Sequence, residues 1–175
     1  MSRAVRFAPL ILLVALMAGL IWRLATPANT NVASKLEGKP VPAFVLPPAL
    51  PGKPALTASD LSVGQPRLVN VFASWCVPCI TEVRVLQQLK ARGTAIDGIA
   101  VRDRPEDVAD FLGRNGDPYE RIGSDPRSQV QIALGSSGVP ESFVVDGKGV
   151  IRYQHIGPIE ASDVPLILEK LEQAK

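Results

Sequence analysis

The stretch "RLVNVFASWCVPCITE", Arg67 to Glu82, holds both cysteines of the 175-residue chain, Cys76 and Cys79, at the point where one periodicity gives way to another. "RLVNVF" is an almost unbroken apolar run of strand length, as a strand covered on both faces requires. From Cys76 onward Ile80, Val83, Leu86 and Leu89 recur at helical spacing until Gly93 stops the pattern. Pro78 falls in the first helical turn, where its missing N–H is no loss. A second strand, "AIDGIAV" (Ala95 to Val101), follows at once. Strand, helix and strand in that order predict a βαβ unit with parallel strands, and the thiols stand at its strand-to-helix junction.

The cysteine pair narrows the chemistry further. A disulfide framework needs bridges that close long loops, and Cys76 with Cys79 closes almost none. A zinc site needs about four ligands, whereas the chain offers these two thiols and one histidine, His155. An iron–sulfur cluster fails on the same count. What remains is a reversible redox couple, a dithiol that becomes a disulfide and returns.

Ahead of this unit, "FAPLILLVALMAGLIW" (Phe7 to Trp22) carries no charge and is flanked by Arg3, Arg6 and Arg23. Arg23 and Leu24 intervene before any small-residue cleavage pattern, so residues 1–24 read as an uncleaved membrane anchor rather than a removed signal peptide. The basic amino terminus is expected in the cytoplasm by the positive-inside rule, with residues from Arg23 onward on the oxidising side. Residues 25–36 are polar and small and read as a linker, leaving 37–175 as the globular domain. The formal net charge of +2 is spread along the chain without a basic block, which argues against nucleic-acid binding.

Within the domain, prolines limit the segment before Arg67 to short strands, at Phe44 to Leu46 and around Leu56. "RPEDVADFLGRNG" (Arg104 to Gly116) predicts a helix with Asp103 as its N-cap. Arg127 to Leu134 predicts a short one. "SFVVDGKGVIRYQHIG" predicts a hairpin of Ser142 to Asp146 with Val150 to His155, and Ser162 or Asp163 caps a terminal helix. The expected order is β–α–β, α, then β–β–α.

That order, with "WCVPC" after the first central strand and "GVPE" before the hairpin, resembles a thioredoxin-like domain: an α/β fold with a central mixed sheet flanked by helices, here behind an N-terminal transmembrane helix. Together with the anchor, "GKPVPAF", "RPEDVADFL", "PYERIGSDP" and "GVPESFVVDGKGVIRYQHIGP", it is similar to the CcmG/DsbE family, the membrane-anchored thiol:disulfide oxidoreductases of cytochrome c biogenesis. The family often carries an aromatic residue before "GVP", where this chain has Ser137.

The resemblance implies Cys76 as the attacking thiol, favoured as thiolate by the helix N-terminus, and Cys79 as the thiol that resolves the mixed disulfide. Val77 and Pro78 adjust how the turn accepts the closed ring. Pro140 matches the cis-proline that faces the CxxC, and Val139 before it is expected to offer backbone groups to an extended partner. Glu82 and Glu141 match acidic positions that tune thiol ionisation and shape the groove; a solvated surface charge is the other reading of each. Trp75 is expected to shield the disulfide and His155 to be structural. No cofactor or metal is expected beyond the redox-active cysteines.

The function so implied is a dithiol reductant in the bacterial periplasm, held single-pass in the inner membrane. It would reduce the CxxCH segments of apocytochrome c, or a cytochrome-assembly thiol protein, with electrons from a DsbD/CcdA-type membrane thiol transporter. A TlpA/ResA-like oxidoreductase serving other partners, a peroxiredoxin-type peroxidase and a Sco-like metallochaperone are the alternatives. The wider CxxxC of Sco proteins and the usual absence of a Trp-preceded CxxC in peroxiredoxins set the last two apart.

Overall fold

The computed structural model describes residues 3–25 and 36–175. The chain divides into two compact units, Met1–Val32 and Ala33–Lys175. In the first, helix α1 covers Arg3–Ala25. Among the described residues no helix is long and apolar enough to cross a membrane. The side chains described in α1 are those of Phe7, Leu10 and 12–23, a stretch shorter than the ~20 consecutive residues of a span. Residues 1 and 2 of the expected anchor, and all of the expected linker except its two ends, lie outside the described residues.

The second unit is built on a five-stranded sheet in the order β5-β4-β3-β6-β7. Its strands are β3 (Arg67–Phe72), β4 (Ile96–Val101), β5 (Arg121–Asp125), β6 (Glu141–Val145) and β7 (Ile151–Ile156). β3 pairs parallel with β4 and antiparallel with β6, β4 pairs parallel with β5, and β6 pairs antiparallel with β7. All six residues of β3 are buried, as its largely apolar run requires of a central strand. Helices α2 (Val77–Ala91), α3 (Pro105–Asn115), α4 (Gln129–Ala133) and α5 (Val164–Gln173) complete the unit, and α2 packs against both α3 and α5. The architecture is thioredoxin-like, a mixed sheet with flanking helices.

Two contacts deep in this fold bear on the site. Phe72, the last residue of β3, stacks with Tyr119 at 4.8 Å between ring centroids and with Phe111 at 5.7 Å. Gly98 on β4 lies directly against that stack: a Cβ there would sit 2.9 Å from Phe72 Cε1 and 3.0 Å from Tyr119 Cδ1, closer than packed carbon atoms approach. At the other end of β3, the Arg67 guanidinium grips the buried Asp97 carboxylate through Nε and Nη2, with Nη2 to Oδ1 at 3.1 Å, and Nη2 also reaches Glu120.

Strand β5 has no counterpart in the sequence expectation. "RIGSD" is short and interrupted by glycine because β1 (Val45–Leu46) and β2 (Leu56–Thr57) form a small arm whose Leu46 lies over it. A Cβ on Gly123 would meet Leu46 Cβ at 2.7 Å. The predicted cap of α3 is also corrected. Arg104, with extended φ −95° and ψ 150°, occupies the N-cap without a side-chain cap bond, and the Asp103 carboxylate is drawn elsewhere, to Ser74. The hairpin begins one residue early, at Glu141, and Asp146 is its turn: Oδ1 accepts N–H bonds from Lys148 and Val150, both at 2.9 Å.

Candidate active site

Cys76 closes the loop after β3 and is the N-cap of α2, with φ −86° and ψ 107°. Its Sγ accepts the Cys79 N–H at 3.2 Å, an orphan donor of the first turn, and Pro78 occupies the second helical position. The two cysteines form a disulfide across a Cα separation of 5.3 Å. Cys76 and Cys79 are both buried, whereas Trp75 and Val77 on either side of Cys76 stand in solvent. The disulfide is therefore recessed within an apolar rim.

Glu82 follows Cys79 by three residues, so the two side chains share one face of α2. It is not a surface charge: 1 % of it is exposed. Oε1 accepts the backbone N–H of Ile159 at 3.0 Å, from the loop between β7 and α5, and Oε2 accepts Asn70 Nδ2 at 3.1 Å. Asn70 stands mid-way along β3, and its Nδ2 also donates to Ser142 Oγ at 3.0 Å while its Oδ1 accepts Tyr119 Oη at 2.7 Å. Every partner of Glu82 is neutral. Burial therefore dominates and pushes its carboxyl up to about 7, against the weaker opposing pull of the Ile159 and Asn70 bonds. The same burial raises the Tyr119 phenol well above its ordinary range, keeping it a donor.

Above the disulfide, Ser74 is held by Asp103, whose Oδ2 accepts Ser74 N–H at 2.8 Å and whose Oδ1 accepts Ser74 Oγ–H at 2.6 Å. Burial raises the Asp103 pKa and these bonds oppose the rise. The β4–α3 loop is thereby fixed to the cysteine loop two residues before Cys76.

The Val139–Pro140 peptide bond is cis, as the resemblance implied, and Pro140 O accepts Gly157 N–H at 3.0 Å, continuing the β6–β7 pairing. Glu141 is buried like Glu82 but tied to neighbours on its own side of the sheet. Oε1 accepts both the N–H and the Oγ–H of Ser137, at 2.9 and 2.6 Å, and Oε2 accepts Gln154 Nε2 at 2.8 Å. Ser137 thus anchors Glu141 through its hydroxyl, a bond that an aromatic hydrocarbon side chain would lack. Trp75, Gln131, Ile132, Ser137 and Val139 line a groove of about 380 Å³ together with Arg102. His155 Nε2 donates to Pro158 O at 3.3 Å and lies 3.7 Å from Asp163 Oδ2. It touches neither cysteine and holds the β7–α5 connection.

Residues 36–171 match the Redoxin family. Thiol:disulfide interchange protein DsbE of Escherichia coli K12 is 38 % identical over 163 residues, covering 91 % of this chain and 88 % of its own. The DsbE homolog of Paracoccus denitrificans is 37 % identical over 175 residues, with 97 % of each chain covered. The chain belongs to the DsbE family. Among solved structures, a thioredoxin-family thiol:disulfide interchange protein from Chlorobium tepidum superposes with a TM-score of 0.58 at 26 % identity, covering 77 % of this chain and 94 % of that one. As a DsbE-family protein this chain is a thiol:disulfide oxidoreductase, and the Cys76–Cys79 bridge is its disulfide at CxxC spacing.

In this DsbE-family site, sequence reasoning did not find Asn70, Tyr119, Asp103 or Arg102. Asn70 alone left a signal, as the polar residue in the middle of the apolar run "LVNVF". A polar group at a fully buried position needs partners, and here they mark the site.

Proposed function

We propose that the chain is an extracytoplasmic dithiol reductant of cytochrome c maturation. The Cys76 thiolate, favoured by the first-turn N–H groups of α2, attacks one sulfur of a partner disulfide and expels the other as a thiolate. Cys79 then loses its proton to Glu82 and attacks Cys76 Sγ. This forms the Cys76–Cys79 disulfide, releases the second partner thiol, and passes two electrons from protein to partner. The observation that carries this reading is the Glu82 carboxyl, an uncompensated buried base pushed to about 7 and one helical turn from Cys79.

Trp75 and Pro78 frame the attacked sulfur, and the backbone of Val139, before Pro140, offers strand-like pairing to the partner. Glu141 fixes the loop that carries both. The oxidised partner is apocytochrome c, through its CxxCH segment, or an assembly thiol protein; a DsbD/CcdA-type membrane transporter restores the dithiol. Anchoring by α1 to the inner membrane, with the thioredoxin-like domain in the periplasm, is supported by its described apolar side chains, from Phe7 to Trp22, all of which are exposed.

The test is the full-length Cys79→Ala variant, which lacks the resolving thiol and should accumulate partners as mixed disulfides on Cys76. Mass spectrometry of the trapped species is expected to return apocytochrome c or a cytochrome-assembly thiol protein. Recovery of assorted exported proteins instead would leave the exchange chemistry intact and overturn the cytochrome assignment.

A further inference from the structure

The groove beside the disulfide has one charged residue among the described residues that line it, Arg102. Its other walls are apolar or neutral, with Trp75 57 % and Ile132 68 % exposed. Arg102 is held rather than free to wander. Its backbone is left-handed, φ 54°, a conformation that disfavours a side chain with a Cβ, and its N–H donates to Asp125 O at 3.3 Å. Its Nε donates at 3.0 Å to the Oγ of Ser128, a buried residue that is itself left-handed at φ 54°. Asp103, the next residue, binds Ser74 and so ties this backbone to the cysteine loop.

The facing wall is equally fixed. The Asp125 carboxylate collects the N–H groups of Gln129, Val130 and Gln131, each at 2.9 Å, and Gln131 Nε2 donates at 3.0 Å to Gly138 O, next to Val139. Of the groups on the Arg102 guanidinium, only Nε has a partner among the described residues; both Nη groups lack a carboxylate or carbonyl acceptor there. A cation pre-positioned in a neutral groove, with its forked donors open, is complementary to a carboxylate.

We propose that Arg102 is a specificity-determining residue that recognises an acidic side chain of the partner polypeptide, within a few residues of the partner's reacting cysteine. The inference rests on the reductant reading and narrows its substrate class: partners are polypeptide disulfides with a flanking Asp or Glu. The covalent step is unchanged. The ion pair holds the partner strand in the groove while Cys76 attacks.

The experiment uses the reduced full-length protein in detergent and synthetic peptides closed by a CxxC disulfide. Each carries a single Glu at one of the three positions on either side of the cysteines and is paired with a Gln control. The readout is the ratio of second-order oxidation rates, Glu peptide to Gln peptide, which cancels any difference in folding between variants. At low salt the native protein is expected to prefer the Glu peptide about fivefold at one position, as a single charge pair gives. At ~1 M salt, where the screening length is about 3 Å, the preference should vanish.

Arg102→Gln should abolish the ratio, Arg102→Lys should keep most of it, and Arg102→Glu should transfer the preference to a Lys peptide. A ratio near one at every position in the native protein, or one unchanged in Arg102→Gln, overturns the Arg102 assignment and leaves the reductant reading standing. If no peptide oxidises the native protein while 4,4′-dithiodipyridine does, the reductant reading itself fails, and this inference with it.

Discussion

Two buried carboxylates sit on neighbouring elements of this domain and are held in opposite ways. Asp97, on β4, is gripped at two points by Arg67, with Arg121 Nη1 3.8 Å away. Glu82, on α2 beside Cys79, is equally buried but has only an amide side chain and a backbone N–H for partners. Burial pushes both carboxyls toward protonation, but at Asp97 a guanidinium fork pulls back, and at Glu82 no cation does. The lesson is that a counter-ion, not burial or residue type, separates the two carboxylates. A charge locked in a pair braces the sheet; a charge denied a counter-ion keeps a proton that it can exchange near neutral pH.

The largest expected effect comes from breaking the locked pair. Arg67→Met leaves Asp97 buried without its fork, and loss of one member of such a pair costs about 4 kcal/mol in stability. The measurement is the denaturant midpoint. The molecules that remain folded should exchange disulfides at the native rate, because Arg67 plays no part near the thiols.

Glu82→Gln tests the other half of the comparison. The folded Glu82 titrates near 7 against an ordinary 4.5, so between those values the folded state keeps a proton that the unfolded chain has released. Stability from this group therefore falls as pH rises through that window, by about 3 kcal/mol in total, and the cost is fully present above it. Denaturation of the disulfide form, in which the thiols do not titrate, should show this decline in the native protein. The Glu82→Gln variant should lack that component.

The smallest effect sharpens the comparison within the Glu82 network. Tyr119→Phe removes the donor to Asn70 Oδ1, leaves that oxygen buried without it, and should cost about 1–2 kcal/mol. With its amide less firmly oriented, Asn70 stabilises the Glu82 ion less well. The Glu82 titration, followed by the infrared carboxyl band, should move further up, by less than about one pH unit. An unchanged band would separate Tyr119 from the proton chemistry.

Much of the fold was legible because it is written locally. The apolar run of β3, the helical spacing that begins at Cys76 and the turn signal "GKG" each announce themselves within a dozen residues. The edge strand β5 was not, because Leu46 covers its glycine from a distant part of the chain. Of the site, the CxxC and its helix could be read directly. The burial of Glu82 could not, since it depends on Ile159, 77 residues away, and on Asn70 being turned by Tyr119. Asp103 misled for a related reason: its place before a helix fits a cap, yet Ser74, far back in sequence, takes its carboxylate.

Gly98 gives this arrangement a genetic address. It touches no sulfur and no carboxylate, yet the absent side chain is what lets Phe72 and Tyr119 stack against β4. One added methyl group there displaces the phenol that turns Asn70, and Asn70 in turn is one of the two hydrogen-bond donors to Glu82. Substitutions that disturb the Glu82 network therefore have a home outside the CxxC, at a position whose only contribution is emptiness.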